Sequence, residues 1–175
     1  MTQLLQVLVS LIFFGNKVLV LVGKKSGWLL GVIAAALGVC YFYMLGMYVY
    51  TVLEFGLIAL MGYGFLYQGV ARNERVEFII RLVTAGVMSI LAFVVFDGAI
   101  TAVEFTSSIT LLLGIYLLTH DRPRAGWILS GIAHLLAAYL GYVKGQQLFA
   151  DFQIASAIVS GIGAWLVTKK AHASS

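Results

Sequence analysis

The sequence predicts an all-α membrane protein with seven transmembrane helices in a 3+1+3 parallel repeat, and three observations lead to this prediction. The first is composition: 62% of the 175 residues are hydrophobic, only 10% are charged, and the mean hydropathy is +1.01. A soluble domain carries about 25% charged residues, so the expected solvent is lipid. The second is a series of seven apolar segments, each near the roughly 20 residues that cross a bilayer. The third is an internal duplication.

The seven apolar segments are separated by short breaks that contain charged residues or glycine. They lie at about 3–22, 27–45, 47–69, 77–96, 98–119, 126–143 and 147–168. Because the breaks are short, consecutive helices are expected to run antiparallel. We predict a first three-helix repeat in residues 1–70, a linker helix in 71–97, a second repeat in 98–170 and a polar tail in 171–175.

The duplication relates two segments of the chain at an offset of 99 residues, without a gap. Residues Gly27, Trp28, Leu30, Ile33, Ala34, Leu37, Tyr43, Gly46, Gly62 and Gly64 recur as Gly126, Trp127, Leu129, Ile132, Ala133, Leu136, Tyr142, Gly145, Gly161 and Gly163. A unit of three helices begins on one side of the membrane and ends on the other, so a direct second copy would be inverted. The fourth helix restores the direction, which predicts a pseudo-twofold axis along the membrane normal. In transporters built this way, the substrate binds where the repeats meet.

Basic residues predict the orientation, because cytoplasmic loops collect Lys and Arg. One set of loops holds Lys24, Lys25, Arg72, Arg75, Arg122, Arg124, Lys169 and Lys170. The other set holds only Lys144. We therefore expect a multi-pass protein of a bacterial-type cell inner membrane, with its N-terminus outside and its C-terminus in the cytoplasm. This topology explains the net charge of +4, and no nucleic-acid partner is expected.

Polar side chains within the apolar segments indicate an internal cavity. A charge inside the bilayer costs about 2.5–3.5 kcal/mol on insertion scales, so it usually faces a partner or a cavity. The candidates are Glu54, Glu104, His134 and Gln153. Gln153 is the repeat equivalent of Glu54 and shares a helix face with Ser156, while Tyr50 shares a face with Glu54. The alternative is that such groups only form hydrogen bonds between helices.

Two other residue types leave alternatives open. Trp28 and Trp127 begin the second and sixth segments, where tryptophan usually anchors a helix in the headgroup region; stacking on a planar ligand is the alternative. His134 either titrates or donates to a backbone carbonyl. No second His stands at metal-ligand spacing and Cys40 is the only cysteine, so we expect no metal or cofactor. No nucleophile is paired with a base, so an enzyme is not expected.

The sequence from about residue 24 to residue 168 resembles the PnuC-type nicotinamide riboside transporters. The resemblance is carried by 25–33, 42–43, 46–48, Glu54 and 63–64, and then by 126–129, His134, 144–145 and 161–165. It implies a SWEET-like facilitator that moves a vitamin precursor by alternating access, often as a homotrimer. This family commonly has Gln at the position of Glu54, and Asn at those of Ala34 and His134.

The resemblance and the polar residues together give one prediction of function. We expect facilitated diffusion of nicotinamide riboside or a related nucleoside-like vitamin. The substrate-binding candidates are Glu54, Gln153, His134, Glu104, Trp127, Tyr50 and Ser156. The alternatives are a proton-coupled carrier of a small solute and a non-transporting membrane sensor or subunit.

Overall fold

The structure is a computed structural model that describes residues 2–22, 24–66, 73–95, 99–119 and 122–173. Helices and short turns account for all of these residues. The helices are α1 (Thr2–Leu21), α2 (Ser26–Met44), α3 (Tyr48–Leu66), α4 (Glu74–Ile90), α5 (Ala99–Thr119), α6 (Pro123–Val143) and α7 (Gln147–Ala173). A π-helical segment, Leu91–Val95, continues α4. The all-α prediction is confirmed, and each of the seven predicted segments corresponds to one helix.

Six of the described helices are long and apolar enough to cross a membrane, where the sequence predicted seven. The exception is α3, of which the described apolar stretch is Tyr48–Tyr63; the predicted end of this segment, 67–69, lies outside the described residues. Large apolar side chains are exposed along the outer faces of the helices, including those of Leu4, Phe78, Phe93, Leu135 and Ile158. A lipid environment suits this surface, which supports a multi-pass membrane protein.

Six helices form a closed ring, and α4 lies at its edge. Around the ring, α1 packs against α2, α2 against α3, α3 against α5, α5 against α6, α6 against α7, and α7 against α1. The fourth helix packs mainly against α3. Several polar residues within these helices are buried, among them Glu54, Gln153 and Ser156.

The α2–α3 and α6–α7 turns have the same backbone structure. Gly46 and Gly145 both have φ of +69°, a conformation that glycine adopts without steric cost. In the first turn the Met47 N–H donates to the Phe42 carbonyl, and in the second the Gln146 N–H donates to the Gly141 carbonyl. Each residue of the first turn is 99 positions before its counterpart in the second.

The two turns also touch each other. The Lys144 ammonium donates to the Leu45 carbonyl over 3.4 Å, and the Tyr41 hydroxyl donates to Oε1 of Gln146 over 3.2 Å. These contacts place both turns at the same end of the ring.

Candidate functional site

A cavity of about 90 Å³ lies inside the ring and is lined by all six of its helices. Its polar lining comes from Asn16, Lys17, Glu54, Ser130, His134 and Ser156, together with the indole of Trp127. A smaller adjoining cavity of about 50 Å³ shares Glu54 and His134 with the first and adds Tyr50 and Gln153. We refer to the two together as the central cavity.

Three polar atoms of the central cavity are buried and have no hydrogen-bond partner in the described part of the chain. They are Oε2 of Glu54, Oγ of Ser130 and Nε2 of His134. The Glu54 side chain is only 3% exposed. A buried polar group without a partner costs about 1–3 kcal/mol, so three such atoms at one cavity favour a site that water or another polar molecule occupies.

The orientation of the His134 ring is set by Gln153. The His134 Nδ1 atom lies 2.6 Å from Oε1 of Gln153. An amide oxygen can only accept, so the imidazole donates from Nδ1. In the neutral ring Nε2 is then an acceptor, and this is the atom that has no partner. Gln153 therefore prepares His134 to accept a hydrogen bond from a molecule in the cavity.

The carboxyl group of Glu54 fits against α2 because residue 38 is glycine. A Cβ atom at Gly38 would lie 2.9 Å from Cδ of Glu54 and 3.0 Å from Cζ of Phe13. Both distances are shorter than ordinary van der Waals contacts between carbon atoms. The absence of a side chain at Gly38 thus creates the space in which the Glu54 carboxyl group sits.

Trp127 is buried at the cavity rather than placed at the molecular surface. It is 7% exposed, and its indole packs so closely on α7 that a Cβ atom at Gly163 would lie 2.5 Å from its Cδ2. The Lys17 ammonium lies 5.1 Å from the centroid of the same indole. This distance is typical of a cation–π interaction.

Asn16 and Lys17 line the cavity, which the sequence pattern alone does not predict. The Asn16 amide donates to the Gly27 carbonyl over 2.7 Å and links α1 to α2, while Lys17 contacts Trp127. The available signal was the polar pair itself, which interrupts the apolar first helix. Its position along the helix did not show that the pair faces the other helices.

Tyr50 and Ser156 line the central cavity, but their hydroxyl groups already donate within the protein. Tyr50 donates to Oγ of Ser107 over 2.5 Å, and Ser107 donates to the Ala133 carbonyl over 2.9 Å. This chain of hydrogen bonds connects α3, α5 and α6. Ser156 donates to the Phe152 carbonyl of its own helix over 2.9 Å, which leaves its oxygen able to accept.

Glu104 is near Tyr50 but is not a lining residue of the central cavity. It is 3% exposed and lines neither part of the central cavity. Its carboxylate is near the Val49 N–H, in the first turn of α3, and near the Lys144 ammonium. A carboxylate at a helix N-terminus is stabilising, so this placement suggests a structural role.

Comparison with known proteins does not identify a family for this chain. No protein-family model, no curated protein and no solved structure matches it. Interpretation of the central cavity therefore depends on its own geometry, which brings together Glu54, Gln153, His134, Trp127, Tyr50 and Ser156.

Proposed function

We propose that this chain is a membrane transporter that carries a small polar vitamin precursor by facilitated diffusion. The observation that carries the proposal is a buried polar cavity with unpartnered Glu54, His134 and Ser130 inside a ring of apolar helices. Hydroxyl groups of a solute donate to Glu54 and to Nε2 of His134, and its oxygen atoms accept from Lys17 and Ser130. The resemblance to PnuC-type transporters makes nicotinamide riboside, or a related nucleoside-like vitamin, the first substrate to test.

The proposal includes two three-helix repeats related by a pseudo-twofold axis through the central cavity. Glu54 and Gln153, which are 99 positions apart, line the same cavity. Lys144 contacts Leu45, its own equivalent, as expected for residues close to such an axis. The α1–α7 and α5–α3 pairs are equivalent under the repeat, and both pairs pack together.

The size of the cavity implies that transport needs a change of conformation. A cavity of about 90 Å³ holds about three water molecules. Pockets for drug-sized ligands have volumes of roughly 300–1,000 Å³, so a riboside does not fit into the cavity in this conformation. In our proposal the two repeats rock against each other at the α1–α7 and α3–α5 contacts, which opens the cavity to each side of the membrane in turn.

Uptake into liposomes that contain the purified protein tests the proposal. We expect saturable uptake of labelled nicotinamide riboside that unlabelled riboside competes away. A Glu54→Ala, Gln153→Ala double variant should lose this uptake, while Gly62→Ala, whose Cβ meets nothing within 4 Å, should retain it. Unchanged uptake in the double variant would overturn the site. Binding without uptake would favour a sensor.

A proton-coupled carrier is a second candidate, because the unpartnered atoms of the central cavity belong to two titratable side chains, Glu54 and His134. Carboxylates and histidines within membrane helices form the proton pathways of many transporters. The same liposomes distinguish the two candidates. Coupling predicts faster uptake when the outside is made acidic, whereas facilitated diffusion predicts no response to an imposed pH gradient.

A further inference from the structure

Two side chains of opposite formal charge, Lys17 and Glu54, face the same cavity without forming an ion pair. The Lys17 ammonium lies 5.1 Å from the centroid of the Trp127 ring. In the described part of the chain, Arg81 forms an ion pair with Glu77 on the same helix, α4. Oε2 of Glu54 likewise has no partner. Both groups line the cavity of about 90 Å³, one from α1 and the other from α3.

An ammonium or a carboxylate without a partner is costly to keep charged inside a protein, so binding of an oppositely charged group favours the charged form of each. A solute can pair with both groups at once if it offers an anionic oxygen to Lys17 and a positively charged group to Glu54. Two neighbouring groups could also bind such a solute. Nε2 of His134 is a hydrogen-bond acceptor, and the Trp127 indole is an aromatic surface near Lys17. The protein then contributes one positive and one negative formal charge, so the complementary solute is neutral overall.

We propose that the central cavity selects a zwitterionic or net-neutral solute with a carboxylate, and that Lys17 is the residue that recognises this carboxylate. The inference rests on the proposed function and names the substrate class of its site. It makes a specific distinction between two ribosides of almost the same shape. Nicotinic acid riboside carries a carboxylate beside its pyridinium ring and is a zwitterion, whereas nicotinamide riboside carries a carboxamide and is a cation.

Equilibrium binding of the two ribosides to the purified full chain tests this inference. We expect the nicotinic acid form to bind about tenfold more tightly or better, as for one added hydrogen bond between charged groups. Lys17→Met should remove this preference, and Lys17→Arg should preserve it. Lys25→Met is the matched control, because Lys25 also lies over an aromatic ring, 5.2 Å from the centroid of Phe65, but does not line the cavity.

The outcomes separate this inference from the transport proposal. Equal affinity for the two ribosides, or tighter binding of the carboxamide, overturns the role of Lys17 and leaves transport intact. A parallel loss of affinity for both ribosides in Lys17→Met also overturns it, since that result indicates a structural contact with Trp127. Failure of the wild-type protein to bind or take up either riboside overturns both proposals. If Lys17→Met does not fold, the wild-type comparison and Lys17→Arg still decide the question.

Discussion

The Nδ1 atom of His134 on α6 lies 2.6 Å from Oε1 of Gln153 on α7. This hydrogen bond determines which nitrogen of the ring faces the cavity, because Gln153 uses the donor nitrogen and leaves Nε2 without a partner. It also connects the two helices of one proposed repeat next to Glu54 of the other. Nε2 of His134 is therefore available as an acceptor because Gln153 binds the opposite nitrogen of the ring.

Gln153→Leu should destabilise the protein, because it leaves Nδ1 of His134 buried without a partner. We expect a loss of about 1–3 kcal/mol in the free energy of unfolding. Thermal unfolding in a single detergent measures the change. Ser160→Ala on the same helix is the control, since the Ser160 hydroxyl only donates to the Ser156 carbonyl one turn away. An equal effect of the two substitutions would contradict this account of the His134 ring.

The two buried carboxylates, Glu54 and Glu104, should respond in opposite ways to replacement by glutamine. Glu54→Gln removes an ionisable group that has an unpartnered oxygen in the central cavity, so we expect it to stabilise the protein by about 0.5–2 kcal/mol and to weaken substrate uptake. Glu104→Gln removes a charge from the N-terminus of α3, so we expect a loss of about 0.3–1 kcal/mol with little change in uptake. Shifts of the same sign in thermal unfolding would show that the two groups do not have these separate roles.

Gly38→Ala should reduce uptake by displacing the Glu54 carboxyl group, which lies 2.9 Å from the position of the new Cβ. Helix propensity alone would favour this substitution by about 0.5–1 kcal/mol. Gly86→Ala on α4 provides the control, because its Cβ meets nothing within 4 Å. We therefore expect Gly86→Ala to stabilise the protein without affecting uptake. Normal uptake in Gly38→Ala would show that the exact position of the carboxyl group is unimportant.

Substitution of alanine for Gly46 or Gly145 should have the same cost, since both glycines have φ of +69° in matching turns. A left-handed conformation costs a residue with a Cβ about 1–2 kcal/mol. Unfolding measurements on the two single variants, with Gly161→Ala in open space as the control, test the equivalence of the turns. A large effect at one turn and none at the other would contradict it.

The fold was largely predictable because the solvent imposes a simple pattern. Apolar segments near membrane thickness, separated by short polar breaks, gave the seven helices of the structure in order. The internal duplication also predicts that Glu54 and Gln153 occupy corresponding positions, and both are buried beside one cavity. The 99-residue offset made this possible, because it compares two positions without any knowledge of packing.

The site was harder to predict because depth along a helix does not determine which way a side chain faces. Glu104 lies at a depth typical of a cavity residue, yet it is near the first turn of α3. Lys17 lines the cavity, although a lysine in an apolar helix could equally extend toward the membrane surface. Trp127 fits the pattern of a surface anchor, but Gly163 allows it to pack inside the ring. Rotation and close approach of helices depend on contacts between distant segments.

Access to the central cavity from each side of the membrane tests the central claim most directly. Cys40 is the only cysteine of the chain, so a Cys40→Ser background allows one cysteine to be placed at a chosen position. Ser156→Cys lies at the cavity, while Ile158→Cys, at a position 61% exposed on the same helix, faces the lipid and serves as the control.

A membrane-impermeant thiol reagent is then added to one side or the other of oriented vesicles. We predict that Ser156→Cys is modified from either side, that a bound riboside slows the modification, and that Ile158→Cys remains unmodified. Modification of Ser156→Cys from neither side, or from only one side under all conditions, would contradict alternating access to this cavity.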